Sequence, residues 1–389
     1  MNRKQFISRL GTLGAAIVAV PLATGYAAST ATSSSSSPKK IRAGIIGCGS
    51  VSGVYLPHLA KCRYADVVSL CDIKPERAER RAREFNVKNH YPNIDAMLAG
   101  VPFDLLVNLT DMQAHGQLNR RALEAGKHVW SEKPMANTYD EGRELLDFAI
   151  RRGVRLWGAP AVVESPQFSF MAKQIDEGKL GRIAAAHAHY GHQGPHWSAF
   201  FYEKDGGSLP DLGVYNISTL TGLFGPVKSL VAMTNTVTPE RKIDDRGVIR
   251  VEAEDNAMII MAHEKNSVLS HIQCGFNYFD PYGHAGTGQE RPTVSIVGSE
   301  GNMHLIGYDW MPFGVDIATV ANERTQRFAT DSQGFKWEEG ASAVCECLAT
   351  GKEPKINAEH ALHVLEIIEA TRRSQAEGRR IQLKSTFNF

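Results

Sequence analysis

From Ile41 onward, short β-branched runs alternate with amphipathic stretches along the chain. The runs Ile41–Ile46, Val67–Asp72, Asp104–Thr110, His128–Ser131 and Arg155–Gly158 predict the strands of a parallel sheet with helices on both faces. Beyond about Pro160 the rhythm lengthens. Ile183–Tyr190, Val227–Thr236, Asn256–His263, Ser267–Gly275 and Thr293–Gly298 read as longer strands, and short turns such as Glu264-Lys265-Asn266 and Gly298-Ser299-Glu300-Gly301 join neighbours. That pattern predicts a large, mainly antiparallel open sheet. Helical periodicity returns at Trp337–Thr350 and His360–Ala376, the second closing on Arg372 and Arg373 as a helix C-terminus prefers.

The 389 residues are 43% apolar and 22% charged with net charge +1, which describes a globular chain with room for two domains and gives no basic excess for nucleic acid. Met1 to Arg9 is basic, and Leu10 to Ala28 is a mildly apolar Gly/Ala-rich run, so residues 1–28 read as an export signal. Asn2-Arg3-Lys4-Gln5-Phe6-Ile7-Ser8 is similar to a twin-arginine signal with Lys4 in place of the second arginine, and that route carries proteins already folded around a cofactor. Small residues near Ala27 or Ala31 suit cleavage, and no cysteine there takes a lipid. The expected mature protein is periplasmic and has no stable membrane anchor. Residues 29–40, with serine at every position from Ser33 to Ser37, form a linker. Six cysteines without Cys-x-x-Cys spacing are expected as free buried thiols.

Chemistry begins at the first strand. Gly47 permits a tight bend after Ile46, Gly49 lets backbone approach a pyrophosphate, and Ser50, Val51 and Ser52 open a helix whose N-terminal N–H groups would face the diphosphate. Ser52 stands where the third glycine of such a fingerprint is usual. Asp72, closing the second strand, would accept bonds from the ribose hydroxyls and repel an extra phosphate, so the expected cofactor is NAD rather than NADP. Lys74 and Arg77 keep dual specificity open. Asn108, Thr110 and His115 fall at the carboxyl edge where doubly wound sheets bind ligands, and are candidate cofactor residues with Glu132 and Lys133. The fold class is therefore α/β: an N-terminal Rossmann domain over 41–160 and a C-terminal α+β domain over 161–389 for substrate and assembly.

His128-Val-Trp130-Ser-Glu132-Lys133-Pro134 resembles the Glu-Lys-Pro signature of the glucose–fructose oxidoreductase, inositol dehydrogenase and rhizopine-catabolism family, Gfo/Idh/MocA, and the resemblance covers the chain after the linker. Gly206-Gly207-Ser208-Leu209-Pro210-Asp211-Leu212-Gly213-Val214-Tyr215 resembles a second family block, with Tyr215 where histidine is usual. That variant looks like the glucose–fructose oxidoreductase branch, whose tyrosine is the proposed proton-transfer residue. The resemblance also implies a cis Lys133–Pro134 peptide, a homodimer or homotetramer packed sheet against sheet, and a last helix near the nucleotide domain. Chemistry gives Tyr215 the same role, because oxidising a carbinol requires a base within hydrogen-bond reach of its oxygen. A phenol with an ordinary pKa near ~10 needs help at neutral pH, and the Lys133 ammonium is expected to favour the phenolate. Asp211, four residues before Tyr215, would orient substrate or Lys133.

His187, His189, His192 and His196 crowd one segment, followed by Trp197, Phe200, Phe201 and Tyr202. No metal is expected, since the cofactor accepts the hydride. His192, His196 and Trp197 are candidate contacts to a carbohydrate, together with Asp211 and Tyr215. The reading that follows is an exported NAD-dependent oxidoreductase acting on a sugar, glycoside or cyclitol hydroxyl, with tightly bound, internally recycled cofactor. The alternatives are an NAD-dependent glycosidase working by transient oxidation and elimination, and a non-catalytic sensor that kept the fold.

Overall fold

The computed structural model describes residues 39–264, 267–279 and 290–388. The expected export signal, and the linker up to Pro38, lie outside the described residues.

Six strands form the first sheet: β1 (Ile41–Ile46), β2 (Ala65–Cys71), β3 (Asn89–Tyr91), β4 (Leu105–Asn108), β5 (His128–Ser131) and β6 (Leu156–Gly158). They pair in parallel in the order β3-β2-β1-β4-β5-β6. Helices α1 (Ser52–Lys61), α2 (Pro75–Glu84), α3 (Ile94–Ala99), α4 (His115–Glu124) and α5 (Tyr139–Arg152) make the connections. The order reverses direction between β1 and β4, and a ligand crevice opens at the carboxyl ends of those two strands. Gly47 and Leu109 meet there, and a Cβ on Gly47, whose φ is +92°, would stand 2.5 Å from Leu109 backbone. Only glycine fits that bend.

After α6 (Pro166–Asp176) comes β7 (Ile183–Gly191), the pivot of the second sheet. The rest of the chain adds α7 (Val214–Phe224), β8 (Val227–Asn235), the hairpin β9 (Glu240–Ile243) and β10 (Gly247–Arg250), β11 (Asn256–His263), β12 (Leu269–Gly275), β13 (Pro292–Gly298), β14 (Gly301–Tyr308), β15 (Met311–Thr319), β16 (Asn322–Phe328), α8 (Glu339–Thr350), α9 (Ala358–Glu377) and β17 (Ile381–Gln382). The sheet runs β16-β15-β14-β13-β7-β12-β11-β8-β17. Its neighbours are antiparallel except β7 and β12, which run parallel, so the chain must cross over between them rather than turn back.

One face of this sheet is buried under α7, almost all of whose residues are inside the protein. The last two helices return to the nucleotide-binding lobe. Glu369 Oε2 accepts from Tyr139 N at 2.8 Å and Arg143 pairs with Glu359, which fixes α9 to α5. Gly340 in α8 presses on Trp130, where a Cβ would come within 2.1 Å of the ring. All six cysteines are free, five of them buried and Cys62 half-buried.

Candidate active site

A cleft of about 580 Å³ runs from the glycine turn to the buried face of the second sheet. Gly49, Ser50 and Val51 border it at the start of α1. Around Gly49 the space is open, with Arg77 Nη1 3.9 Å from where a Cβ would stand, so a pyrophosphate can approach the backbone. Ser52 does not face the cleft. Its Oγ donates to Gly49 O at 2.6 Å and accepts from Arg81 Nε at 3.1 Å, tying the turn to α2. Asp72 accepts from Cys48 N at 2.7 Å and Lys74 N at 2.8 Å, which holds its carboxylate at the end of β2 beside the turn. Arg77, Arg80 and Arg81 line the same end of the cleft.

The other predicted cofactor residues divide into lining and framework. Thr110, His115, Glu132 and Lys133 line the cleft. Asn108 is fully buried, its Nδ2 donating to Asn119 Oδ1 at 2.9 Å and its Oδ1 accepting from Thr110, so it shapes the crevice from behind. His115 is buried too, with Nδ1 2.7 Å from Pro134 O and Nε2 2.9 Å from Thr110 O. Both ring nitrogens are engaged with backbone, and His115 fastens the turn that carries Lys133.

Glu132 Oε1 accepts from Tyr55 OH at 2.7 Å and Oε2 from Lys133 N at 3.0 Å. The Lys133–Pro134 peptide is cis, as is Ala159–Pro160. Lys133 Nζ then reaches across to Asp211, donating to Oδ1 at 2.8 Å and to the main-chain O at 2.9 Å. Asp211 lies on a π-helical turn, Leu209–Gly213, that runs into α7. Its lead-in is clamped from below: Glu254 Oε1 accepts from Leu209 N at 2.9 Å, and Arg372 of α9 donates to Gly206 O at 2.8 Å. Gly207, with φ +114°, has no room for a Cβ, which would strike Glu254 at 2.3 Å.

Tyr215, in the first turn of α7, lines the cleft floor. Lys133 Nζ lies over its ring, 5.2 Å from the centre. The expected ammonium stands beside the ring, and the rest of the surroundings act against it. Burial pushes the Tyr215 phenol well above its ordinary range, and Glu132, Asp211 and Asp309 push it further the same way.

The histidine-rich segment separates. His192 is buried and lines the cleft, its Nδ1 accepting from Gly194 N at 2.9 Å. Trp197 also lines it, with Ser198 and Asp245 of the β9–β10 turn nearby. His196 is exposed, is paired with Asp244 at 2.9 Å and does not line the cleft. His187 and His189 lie on the exposed face of the second sheet, away from α7. Sequence reasoning missed Tyr190, Trp310 and Trp337, aromatic walls of the cleft drawn from three distant segments, and Glu254 and Asp309 beneath it. Apart from the break in apolar pattern at Asp309, nothing local marks them.

The profile described as oxidoreductase family, NAD-binding Rossmann fold, matches residues 41–159, and that of the GFO/IDH/MocA C-terminal domain matches residues 168–304. The D-apiose dehydrogenase of Paraburkholderia graminis is 25% identical over 362 residues, covering 89% of this chain and 91% of its own. Among solved structures, levoglucosan dehydrogenase in complex with NADH and L-sorbose superposes with a TM-score of 0.76 at 19% identity, covering 89% of this chain and 99% of its own. The aldose-aldose oxidoreductase of Caulobacter crescentus, complexed with glycerol, gives 0.74 at 20% identity, covering 89% of this chain and 100% of its own. At those identities the two structures speak for the fold.

Proposed function

We propose, for a chain that belongs to the Gfo/Idh/MocA family of NAD-binding oxidoreductases, an exported enzyme that oxidises a hydroxyl of a sugar, glycoside or cyclitol and recycles its dinucleotide without releasing it. The observation that carries the reading is the convergence of Lys133, Asp211 and Tyr215 on the floor of a cleft whose other end is the glycine turn. Gly49, Ser50, Val51 and Asp72 would hold the diphosphate and ribose, and a bound nicotinamide supplies the hydride acceptor together with a positive charge that favours loss of the Tyr215 proton.

Lys133 has three N–H donors and spends two on Asp211, which leaves one for the reacting oxygen of the substrate. Asp211 holds that ammonium over the tyrosine ring. With its own proton first lost to solvent beside the positive ring, Tyr215 would take the substrate hydroxyl proton as phenolate in the oxidative half-reaction and, as the phenol so formed, return it to a carbonyl oxygen in the reductive one. Trp197, Tyr190 and Trp310 offer aromatic faces to the C–H face of a pyranose, and His192 lies within the same wall. The exposed face of the second sheet carries Val231, Met233, Met258, Ile260 and Leu269, apolar area suited to covering by a second copy of the chain.

The test uses protein purified from the periplasm, denatured with acid to release bound nucleotide, and the native form offered free sugars or nitrophenyl glycosides without added cofactor. About one NAD per chain and sugar-dependent reduction of a second carbonyl compound are expected. Nitrophenol release over many turnovers without net NADH would replace the reading with the glycosidase. Cytoplasmic fractionation with dependence on added NAD would remove export and internal recycling.

A further inference from the structure

Two kinds of aromatic wall face the cleft. Tyr190 is buried with its ring 6.1 Å from that of Tyr215, and half-buried Trp310 lies 6.5 Å from Tyr190, so this pair belongs to the catalytic floor. Trp197 stands apart from both. It lines the cleft while 44% exposed, and its ring contacts are with His196 and Phe201. Phe201 and Tyr202 of the same loop are buried, which leaves the indole held out at the mouth.

The β9–β10 hairpin is fastened beside that loop. Ile243 at the end of β9 is buried, and Arg241 donates to Gln193 O at 2.9 Å, Phe276 O at 2.8 Å and Asn277 Oδ1 at 2.7 Å. Three charged residues follow one another in the turn: Asp244, Asp245 and Arg246. Asp244 pairs with His196 at 2.9 Å and its N donates to His196 O at 2.8 Å, while Arg246 pairs with Glu203. Two of the three charges thus tie the turn to the segment that carries Trp197. Asp245 lines the cleft instead, has no ion pair among the described residues, and accepts one long hydrogen bond, at 3.4 Å, from Ser198 Oγ, which lines the cleft as well. An indole face beside a carboxylate and a hydroxyl matches a sugar ring. The C–H face stacks on the indole, the two carboxylate oxygens accept from ring hydroxyls, and the serine hydroxyl gives or takes one more. A bare aryl group would leave the carboxylate unused, and an acidic ring would be repelled by it.

We propose that Trp197, Ser198 and Asp245 form an outer subsite at the mouth of the cleft, which holds the second ring of a neutral disaccharide while the first lies at Lys133 and Tyr215. The proposal rests on the reading of the cleft as the place where a sugar hydroxyl is oxidised, and it narrows the substrate from a single sugar to a glycosidically linked one. Because the hairpin is tied down at its base and at its turn, the subsite is formed before the ligand arrives, and no closure is needed to complete it.

Saturation-transfer NMR on the whole protein with NAD present tests this, with glucose, galactose and xylose set against maltose, cellobiose, lactose and xylobiose. At least one disaccharide should show saturation on both rings and bind about tenfold more tightly than its monosaccharide. Trp197→Ala should remove the outer-ring signal and cut that preference to within about twofold, and Trp197→Phe, which keeps a ring, should restore most of it. Asp245→Ala should weaken the disaccharide about fivefold more than the corresponding nitrophenyl glycoside, whose aryl group offers no hydroxyl, and it reads the same preference if Trp197→Ala fails to fold. No disaccharide bound, saturation of one ring only, an unchanged preference in Trp197→Ala, or equal effects of Asp245→Ala on disaccharide and aryl glycoside overturns the proposal. Binding is read without turnover. Disaccharides held by both rings but never oxidised would sink the oxidoreductase reading and leave the subsite standing, whereas oxidation of monosaccharides with no disaccharide bound would do the reverse.

Discussion

Lys133 and Tyr215 meet face-on, with the ammonium over the ring and both of its hydrogen bonds given to Asp211. That arrangement separates two tasks: the ammonium is left with a donor for substrate oxygen, and the phenol keeps its proton until charge arrives beside it. Tyr215→Phe should lower kcat by roughly 10² to 10⁴-fold while the nucleotide recovered by acid release stays unchanged, and unaltered turnover would remove the assignment. At the other end of the cleft, Arg81 is held by Ser52, Gly49 and Glu84, whereas Arg77 borders the open space beside Gly49. Arg77→Ala is expected to weaken NADP on the order of tenfold more than NAD, read as the ratio of Kd values, because a guanidinium bonds a phosphate but gains nothing from a ribose hydroxyl that Asp72 already serves. Equal effects on both cofactors would free Arg77 of a selective role.

Among the elements, α7 and α9 carry polar side chains into the core. Thr221 Oγ1 of α7 is 2.7 Å from His360 Nε2 of α9. His363 Nε2 accepts from Val227 N at 2.9 Å, so its Nδ1 carries the hydrogen and donates to Ser385. His263 on β11 is pinned between Gly225 O and Ser270. Burial pushes His263 down to about 4 and His360 and His363 down to about 3. The unfolded chain takes up these protons near its ordinary value of about 6.5, while the folded chain does not until far lower pH. Stability from these groups is therefore whole above pH ~6.5 and falls as pH drops toward ~4, by about 1.4 kcal/mol per pH unit for each. Urea midpoints measured at pH 7.5, 6 and 5 should fall steadily below 6.5, and His363→Gln should shallow the slope. A flat profile to pH 5 would mean that the three are not held neutral.

At the scale of the whole molecule, the second sheet buries one face under α7, and among the described residues the other face is left exposed. A cross-strand row pairs Val231, Ile260, His271 and His187 across β8, β11, β12 and β7, apolar at one end and histidine at the other. Met233 is 75% exposed and Ile260 51%. Sedimentation should find a homo-oligomer, and Ile260→Asp should reduce its mass with the fold intact by circular dichroism, since a carboxylate there is either solvated in the monomer or buried against a partner. A wild-type monomer would assign this face to something else.

What the sequence determined by itself was whatever chemistry lives within a few residues. The Gly47–Gly49 turn, Asp72 at a strand end and the Lys133–Pro134 turn are local devices, and the parallel strands announce themselves by short apolar runs. Asp211 and Tyr215 stood out because a glycine pair and an acid four residues before a tyrosine resemble a family block. Helix α7 showed no amphipathic period, because a helix covered on all sides has no polar face, and its Ser218 and Thr221 satisfy their hydroxyls on its own carbonyls. Spacing alone also gave no division of the histidines: it took the path of the loop after β7 to put His192 in the cleft and His196 in solvent. The tertiary structure alone decided the electrostatics. Lys133 lies over a ring, Asp309 arrives from a turn 94 residues beyond Tyr215, and Glu254 closes beneath a glycine that precedes it by 47. Burial is a property of the assembled surroundings, and it sets the Tyr215 phenol against the ionisation that Lys133 was expected to favour.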